Sequence, residues 1–248
     1  LIVVGLVAAL AFATIATSRG ARYDKATLCD TRGPSAVTVV LIDATDRMSA
    51  VQRTAVLNRL TRLNEKLIAN ERLAIFEISP NGDLLKPKFS MCRPTAASET
   101  SELTGNRKLA TERFEKLFNP AVGNALSSLL SATPAEKSPI MEAVQAASVS
   151  AFQAVDVPPK AAKRLIVVSD MLEYGEAGSH YNGVPDFDTY RASPQFARAT
   201  SDLSGVEVIV LYIRRDTASG IQGLGHVDFW ARWFAAQGAD FRAIPVEG

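Results

Sequence analysis

The sequence predicts an α/β fold: a doubly wound, mostly parallel sheet with helices on both faces, preceded by an N-terminal apolar helix. Three observations carry this. Several short runs are continuously apolar and β-branched, the mark of strands covered on both faces. Segments with helical spacing alternate with those runs along the chain. Two of the runs end directly on an aspartate, Asp43 and Asp170, where open sheets of this kind hold their ligands.

The elements follow in order. Val37–Ile42 is a strand, and Ser49 caps a helix over 50–69 whose apolar positions are Val51, Ala55, Leu60, Leu63 and Leu67. Arg72–Ile78 is the second strand. Pro80-Asn81-Gly82-Asp83 turns the chain, and Leu84–Ser90 returns as a third strand. Residues 93–135 are rich in Ser, Thr and Ala, with helices predicted at 107–118 and 121–130. Ser138-Pro139-Ile140 opens a helix to about Val155, with Pro in the first turn, and Pro158-Pro159 stops the chain there. Lys163–Asp170 is a buried strand, 173–188 a loop, 193–202 a helix and 205–213 a further strand. Residues 226–237 are helical up to Gly238, and Asp240–Val246 closes the sheet.

Composition narrows the function. The 248 residues are 47% apolar and 21% charged with a formal net charge of +1, an ordinary globular balance without the electrostatic footprint of a nucleic-acid binder. Two histidines, His180 and His226, leave little scope for a His-rich metal site or a His-based triad. Gly-x-Gly-x-x-Gly after a strand, Gly-Lys-Ser/Thr and Gly-x-Ser-x-Gly are all missing from the sequence.

The segment LIVVGLVAALAFATIAT, residues 1–17, carries no charge. It reads as a membrane anchor. Its alternatives are a signal-peptide core, with Ala11-Phe12-Ala13 as a small-residue cleavage pattern, and a buried helix. Residues 18–35 then form a linker and 36–248 one domain. The folded part is expected on the periplasmic or extracytoplasmic side, and the basic residues Arg19, Arg22 and Lys25 argue for the cytoplasmic side as the alternative. Cys29 and Cys92, an even pair in a chain sent to a membrane, are expected to form a disulfide.

Three polar segments follow buried strands or open a helix: Asp43-Ala44-Thr45-Asp46-Arg47, Ser138-Pro139 and Ser169-Asp170. Asp43, Thr45, Asp46, Ser138 and Asp170 are oxygen donors of the kind hard cations prefer. In this order and placement the chain, over about 36–246, resembles the von Willebrand factor type A (vWA) family, a Rossmann-like fold. The family's metal-ion-dependent adhesion site joins Asp-x-Ser-x-Ser after the first strand, a Thr from a later loop and an Asp after the fourth strand. The resemblance implies Asp43, Thr45, Ser138 and Asp170 as ligands of a divalent cation such as Mg²⁺, and a non-enzymatic role in binding a protein partner. Position 47 departs from the pattern. Arg47 has donors and no acceptor and repels a cation. It is expected to turn inward and pair with Asp43 or Asp170 in place of the metal, or to swing to solvent while the ligands hold Mg²⁺ through water.

Asp46, Arg47, Glu173 and Tyr174 are expected on the rim where a partner binds. Asp186 and Asp188 form a second acidic cluster explained equally well by the turn around them. Phe229, Trp230, Trp233 and Phe234 read as core. Asp43 preceding Thr45 leaves Mg²⁺-dependent phosphoryl hydrolysis as the enzymatic alternative, and a purely structural subunit as a third reading.

Overall fold

A computed structural model describes residues 23–78, 86–100, 106–130 and 135–248. The predicted anchor at 1–17 and the turn at 80–83 lie outside them. The main sheet is built from β1 (Ala36–Asp43), β2 (Glu71–Ile78), β3 (Phe89–Cys92), β4 (Ala162–Ser169), β7 (Val206–Ile213) and β8 (Asp240–Val246). A separate two-stranded hairpin pairs β5 (Tyr174–Gly175) with β6 (Gly178–Ser179). In space the order is β3-β2-β1-β4-β7-β8. β2 and β3 pair antiparallel, and every other pairing in this sheet is parallel. The order reverses between β1 and β4, the switch point of a doubly wound sheet.

Alternation along each strand divides the core. Val37, Val39 and Leu41 of β1 join Leu165 and Val167 of β4 on one face. That face is covered by a helical run over 140–152 (α3, Ile140–Ala147 extended by a π-helical turn, Ser148–Phe152) and by α6 (Leu224–Ala235). Val40, Ile42, Ile166 and Val168 face the other way, against α1 (Ala50–Lys66) and the run α2 over 107–129. Phe229, Trp230, Trp233 and Phe234 are fully buried, as their spacing predicts.

Local chemistry fixes the helix ends. Ser49 Oγ accepts from Gln52 N at 3.1 Å, and Gln52 Oε1 accepts from Ser49 N at 3.0 Å, a complete capping box. Gln52 Nε2 also donates to the Arg214 carbonyl, tying the start of α1 to the end of β7. Ser49→Ala is expected to cost about 1 kcal/mol in urea unfolding. α3 starts one residue later than its sequence implies. Pro139 is the N-cap and makes no side-chain cap, because the Ser138 hydroxyl is used elsewhere.

Residues 23–35, read as a linker, are folded in. Leu28, Cys29 and Asp30 are buried, and Cys92 N donates to the Thr27 carbonyl at the sheet edge. Cys29 and Cys92 form a disulfide. Two short helices, α4 (Phe187–Arg191) and α5 (Pro194–Ala199), break the stretch before β7. Asp186 caps α4 by accepting from Thr189 N, and Asp188 pairs with Arg232 at 2.6 Å. The second acidic cluster is therefore a helix cap and an ion pair.

Candidate functional site

Asp43 ends β1 and Asp170 follows β4, on neighbouring strands at the switch point. Both are buried. A buried carboxylate must be answered by donors, and each is. Asp43 Oδ1 accepts from Thr45 N at 3.0 Å and Thr45 Oγ1 at 2.6 Å. Its Oδ2 accepts from Ser138 Oγ at 3.1 Å and Ser169 Oγ at 2.7 Å. Asp170 Oδ1 accepts from Leu172 N at 3.0 Å and Oδ2 from Arg215 Nε at 2.9 Å. Asp43, Thr45, Ser138 and Asp170 thus converge, and the fold adds Ser169 and Arg215.

The cation beside Asp170 is Arg215, not Arg47. Arg47 is exposed, and its carbonyl accepts from Arg215 Nη1. The reason is geometric. Arg215 lies two residues past the end of β7, next to β4 in the sheet, so its guanidinium spans from Asp170 to the loop after β1. Arg215 thereby sets a fixed positive charge on the Asp170 carboxylate, which disfavours a divalent cation at that oxygen. Among the described residues no group of three or more His, Cys, Asp or Glu side chains is arranged to hold a metal ion.

Electrostatics follow from this burial. Desolvation first, and the Asp43 carboxylate second, push Asp170 up to about 7, against the opposing pull of Arg215. Met171, next in the chain, has φ +62°, a conformation uncommon for a non-glycine residue. Its carbonyl accepts from Trp230 Nε1 at 3.0 Å, which locks the turn after Asp170 to α6.

The rim residues divide. Asp46 and Arg47 are exposed. Tyr174 is 42% and Tyr181 50% exposed, and their rings meet edge to face at 5.9 Å. Glu173 is 0% exposed and cannot reach a partner. Its Oε2 accepts from Met141 N at 2.9 Å in the first turn of α3. Burial, then the nearby Glu142 carboxylate, raise its pKa well above the ordinary value. The β5–β6 hairpin buries it: Tyr174 N and Ser138 N each bond the other residue's carbonyl, folding the segment over α3.

The two histidines, 46 positions apart, meet in the core. His180 Nδ1 lies 3.0 Å from His226 Nε2, and His226 Nδ1 lies 2.5 Å from the Tyr212 hydroxyl. Burial lowers both, His180 to about 3 with a contribution from His226, and His226 to about 4, so both are neutral at pH 7.

No family model and no curated relative matches the sequence. Among solved structures, the chain is similar to an aerotolerance-related membrane protein from Bacteroides fragilis carrying multiple mutations to serines. The identity is 12% and the TM-score 0.31, over 71% of this chain and 66% of that one, so it spans slightly less than two thirds of that protein. It is also similar to the conserved hypothetical protein BatB from Bacteroides thetaiotaomicron, at 15% identity and a TM-score of 0.38, over 86% of this chain and 91% of that one. Among the described residues no helix is long and apolar enough to cross a membrane.

Proposed function

We propose that the chain is a vWA-like, non-catalytic module that binds a protein partner through the strand-end face, in a membrane-associated or exported assembly, with Arg215 standing where a cation would otherwise bridge Asp170 and the loop after β1. The observation that carries this reading is the closure of the site. Every oxygen of the Asp43 and Asp170 carboxylates is taken by a hydroxyl, an amide or a guanidinium. The phosphoryl-transfer alternative needs Asp43 as a nucleophile, and all four contacts to its carboxylate are donors that hold it still.

What the face offers outward is contact chemistry. Two half-exposed tyrosines, Tyr174 and Tyr181, pack on each other, with Tyr181 in the field of Asp46, and Arg47 is exposed next to Asp46; interfaces are enriched in aromatic and Arg anchors of this sort. Backbone bonds tie these loops to the segment before α3: Ala135 N donates to the Thr45 carbonyl, and Ser138 and Tyr174 bond reciprocally. A pre-organised face loses little entropy on binding.

The test is photo-crosslinking in the native host from Arg47, Tyr174 and Tyr181, compared with Lys160 and Asp202 at the opposite end of the strands. One protein adduct shared by the three strand-end positions, and missing from the other two, is the expected result. Equal labelling from both ends, or none, overturns the reading and favours a purely structural subunit.

A further inference from the structure

The chain enters the described structure where the strands begin, at the opposite end of the sheet from the strand-end site. Tyr23 and Asp30 bridge across a short turn. Cys29 is bonded to Cys92, which pairs with Arg72 near the start of β2. Three loops meet at this end because β2, β1 and β4 are neighbours. Asp30 N donates to Asn70 Oδ1 and Asn70 Nδ2 to the Gly33 carbonyl, each at 2.9 Å, joining the loops before β1 and β2. On the other side, a β-carbon on Gly33 would collide with the Asp156 carbonyl, so the loop before β4 lies directly against it.

Two large apolar side chains project from these loops. Ile68, before β2, is 55% exposed, and Val155, before β4, is 105% exposed, as open as in an extended chain. A single exposed apolar residue is ordinary; what sets this pair apart is its place beside the entry of the chain. Lys25, Arg32 and Lys160 are exposed in the same loops. The acids of these loops are engaged: Asp24 accepts from Ala26 N and Thr27 N, Asp30 pairs with Arg32 and Asp156 with Arg72. Lys25 and Lys160 are left to face phosphate headgroups.

Chain length fixes how far this end can stand from a membrane. Six residue steps separate Thr17, the last of the uncharged segment, from Tyr23, a reach of at most about 22 Å. The headgroup layer takes up about 6 Å of it. β1 then runs eight residues from this end to Asp43, about 26 Å in the other direction.

We propose that the strand-start end of the domain rests on the bilayer that residues 1–17 enter, with Ile68 and Val155 seated among the headgroups and the strand-end face turned away from it. The proposal rests on the membrane-anchor reading of residues 1–17 and is independent of what the strand-end face binds.

The test uses the full chain in vesicles of phosphatidylcholine and phosphatidylglycerol, with photoreactive benzoylphenylalanine placed singly at Ile68, Val155, Val51 or Leu224. Val51 and Leu224 are 64% and 92% exposed in the first turns of α1 and α6, on the strand-end side, and serve as apolar controls. An unchanged thermal melt shows that each variant is folded. Lipid adducts from 68 and 155, and none from 51 and 224, are the expected result. With the photoreactive group at Ala69 instead, the lipid adduct is expected to fall several-fold when Ile68→Asp is combined with Val155→Asp. Equal lipid labelling from both ends overturns the proposal, as does an adduct between two copies of the chain in place of the lipid adduct. Carbonate extraction separates the two readings. A chain retained in the vesicles without lipid adducts from 68 or 155 overturns this proposal and leaves the anchor standing, whereas release of the intact chain overturns both.

Discussion

Arg215→Ala is expected to lower the stability of the chain by about 1–3 kcal/mol at neutral pH and by more as pH rises, because it removes a charged hydrogen-bond donor from the buried Asp170 carboxyl. Near neutral pH the carboxyl, which titrates near 7, answers the loss by taking up a proton. The bond from Arg215 to the Arg47 carbonyl is lost as well. Removing both charges together, in Asp170→Asn with Arg215→Leu, is expected to cost much less, since no uncompensated charge remains. Arg47→Ala should stay within about 0.5 kcal/mol of wild type, as an exposed side chain does. Chemical unfolding of the three variants separates a pair held by Arg215 from one held by Arg47. Repeating the melts with Mg²⁺, Ca²⁺, Mn²⁺ or EDTA probes the metal reading: wild type is expected not to respond, and stabilisation by a cation that Asp170→Ala abolishes would restore metal ligation to the site.

The same pair sets a pH dependence. The folded carboxyl of Asp170 titrates near 7 and its ordinary value is 3.8. The folded state therefore binds more protons than the unfolded chain between these values. Its contribution is fully present below about pH 4 and is lost as pH rises through 7. The buried histidines act in the opposite sense. Their folded values of about 3 and about 4 lie below the ordinary 6.5, so their contribution is lost as pH falls from 6.5 toward 3. The two effects oppose each other between pH 4 and 6.5. In Asp170→Asn the histidines act with less opposition, and stability should rise with pH across that window more steeply than in wild type. The Arg215→Ala deficit should shrink toward acid pH, where Asp170 is neutral.

Breaking the disulfide is the second large effect. Cys29 and Cys92 close a loop with a sequence separation of 63, for which chain entropy gives about 4 kcal/mol. In a chain of this length that is a fall in Tm of roughly 10 °C. Cys29→Ser with Cys92→Ser in a thermal scan, or dithiothreitol added to wild type, should give the same fall. A Tm unchanged by both treatments would mean that the segment 23–30 is held by its other contacts alone, such as Asp30 N to Asn70 Oδ1.

The fold was legible because burial on both faces writes itself as uninterrupted Val, Ile and Leu. β1, β4 and β7 each announce themselves this way, and the strand-end rule then located Asp43 and Asp170. One partner in the site was not legible. Arg215 follows β7 in sequence and meets Asp170 only because β4 and β7 are neighbours in space. Applying the strand-end rule to cations as well as to oxygen donors would have singled it out. Ser138, which alone reads as an N-cap, was placed in the site by the family resemblance, and its hydroxyl does cross 95 positions to Asp43, as a buried carboxylate's demand for donors requires. Glu173 was misplaced for a related reason: in sequence it sits in a polar loop, and only the two-residue hairpin after it shows that the loop folds inward. The meeting of His180 and His226 carries no sequence signal that spacing could reveal.

The bridge between Cys29 and Cys92 also decides how the molecule carries tension. A pull applied between the residues preceding Cys29 and the end of the chain travels through sulfur into the edge of the sheet and onward from residue 92. Everything covalently between the two cysteines, including β1, the loop at Asp43 and α1, lies in a closed loop that a pull along the chain cannot extend. Tethered from its N-terminal side, the domain would keep those elements in that closed loop even when the sheet is drawn apart and the rest of the chain pays out.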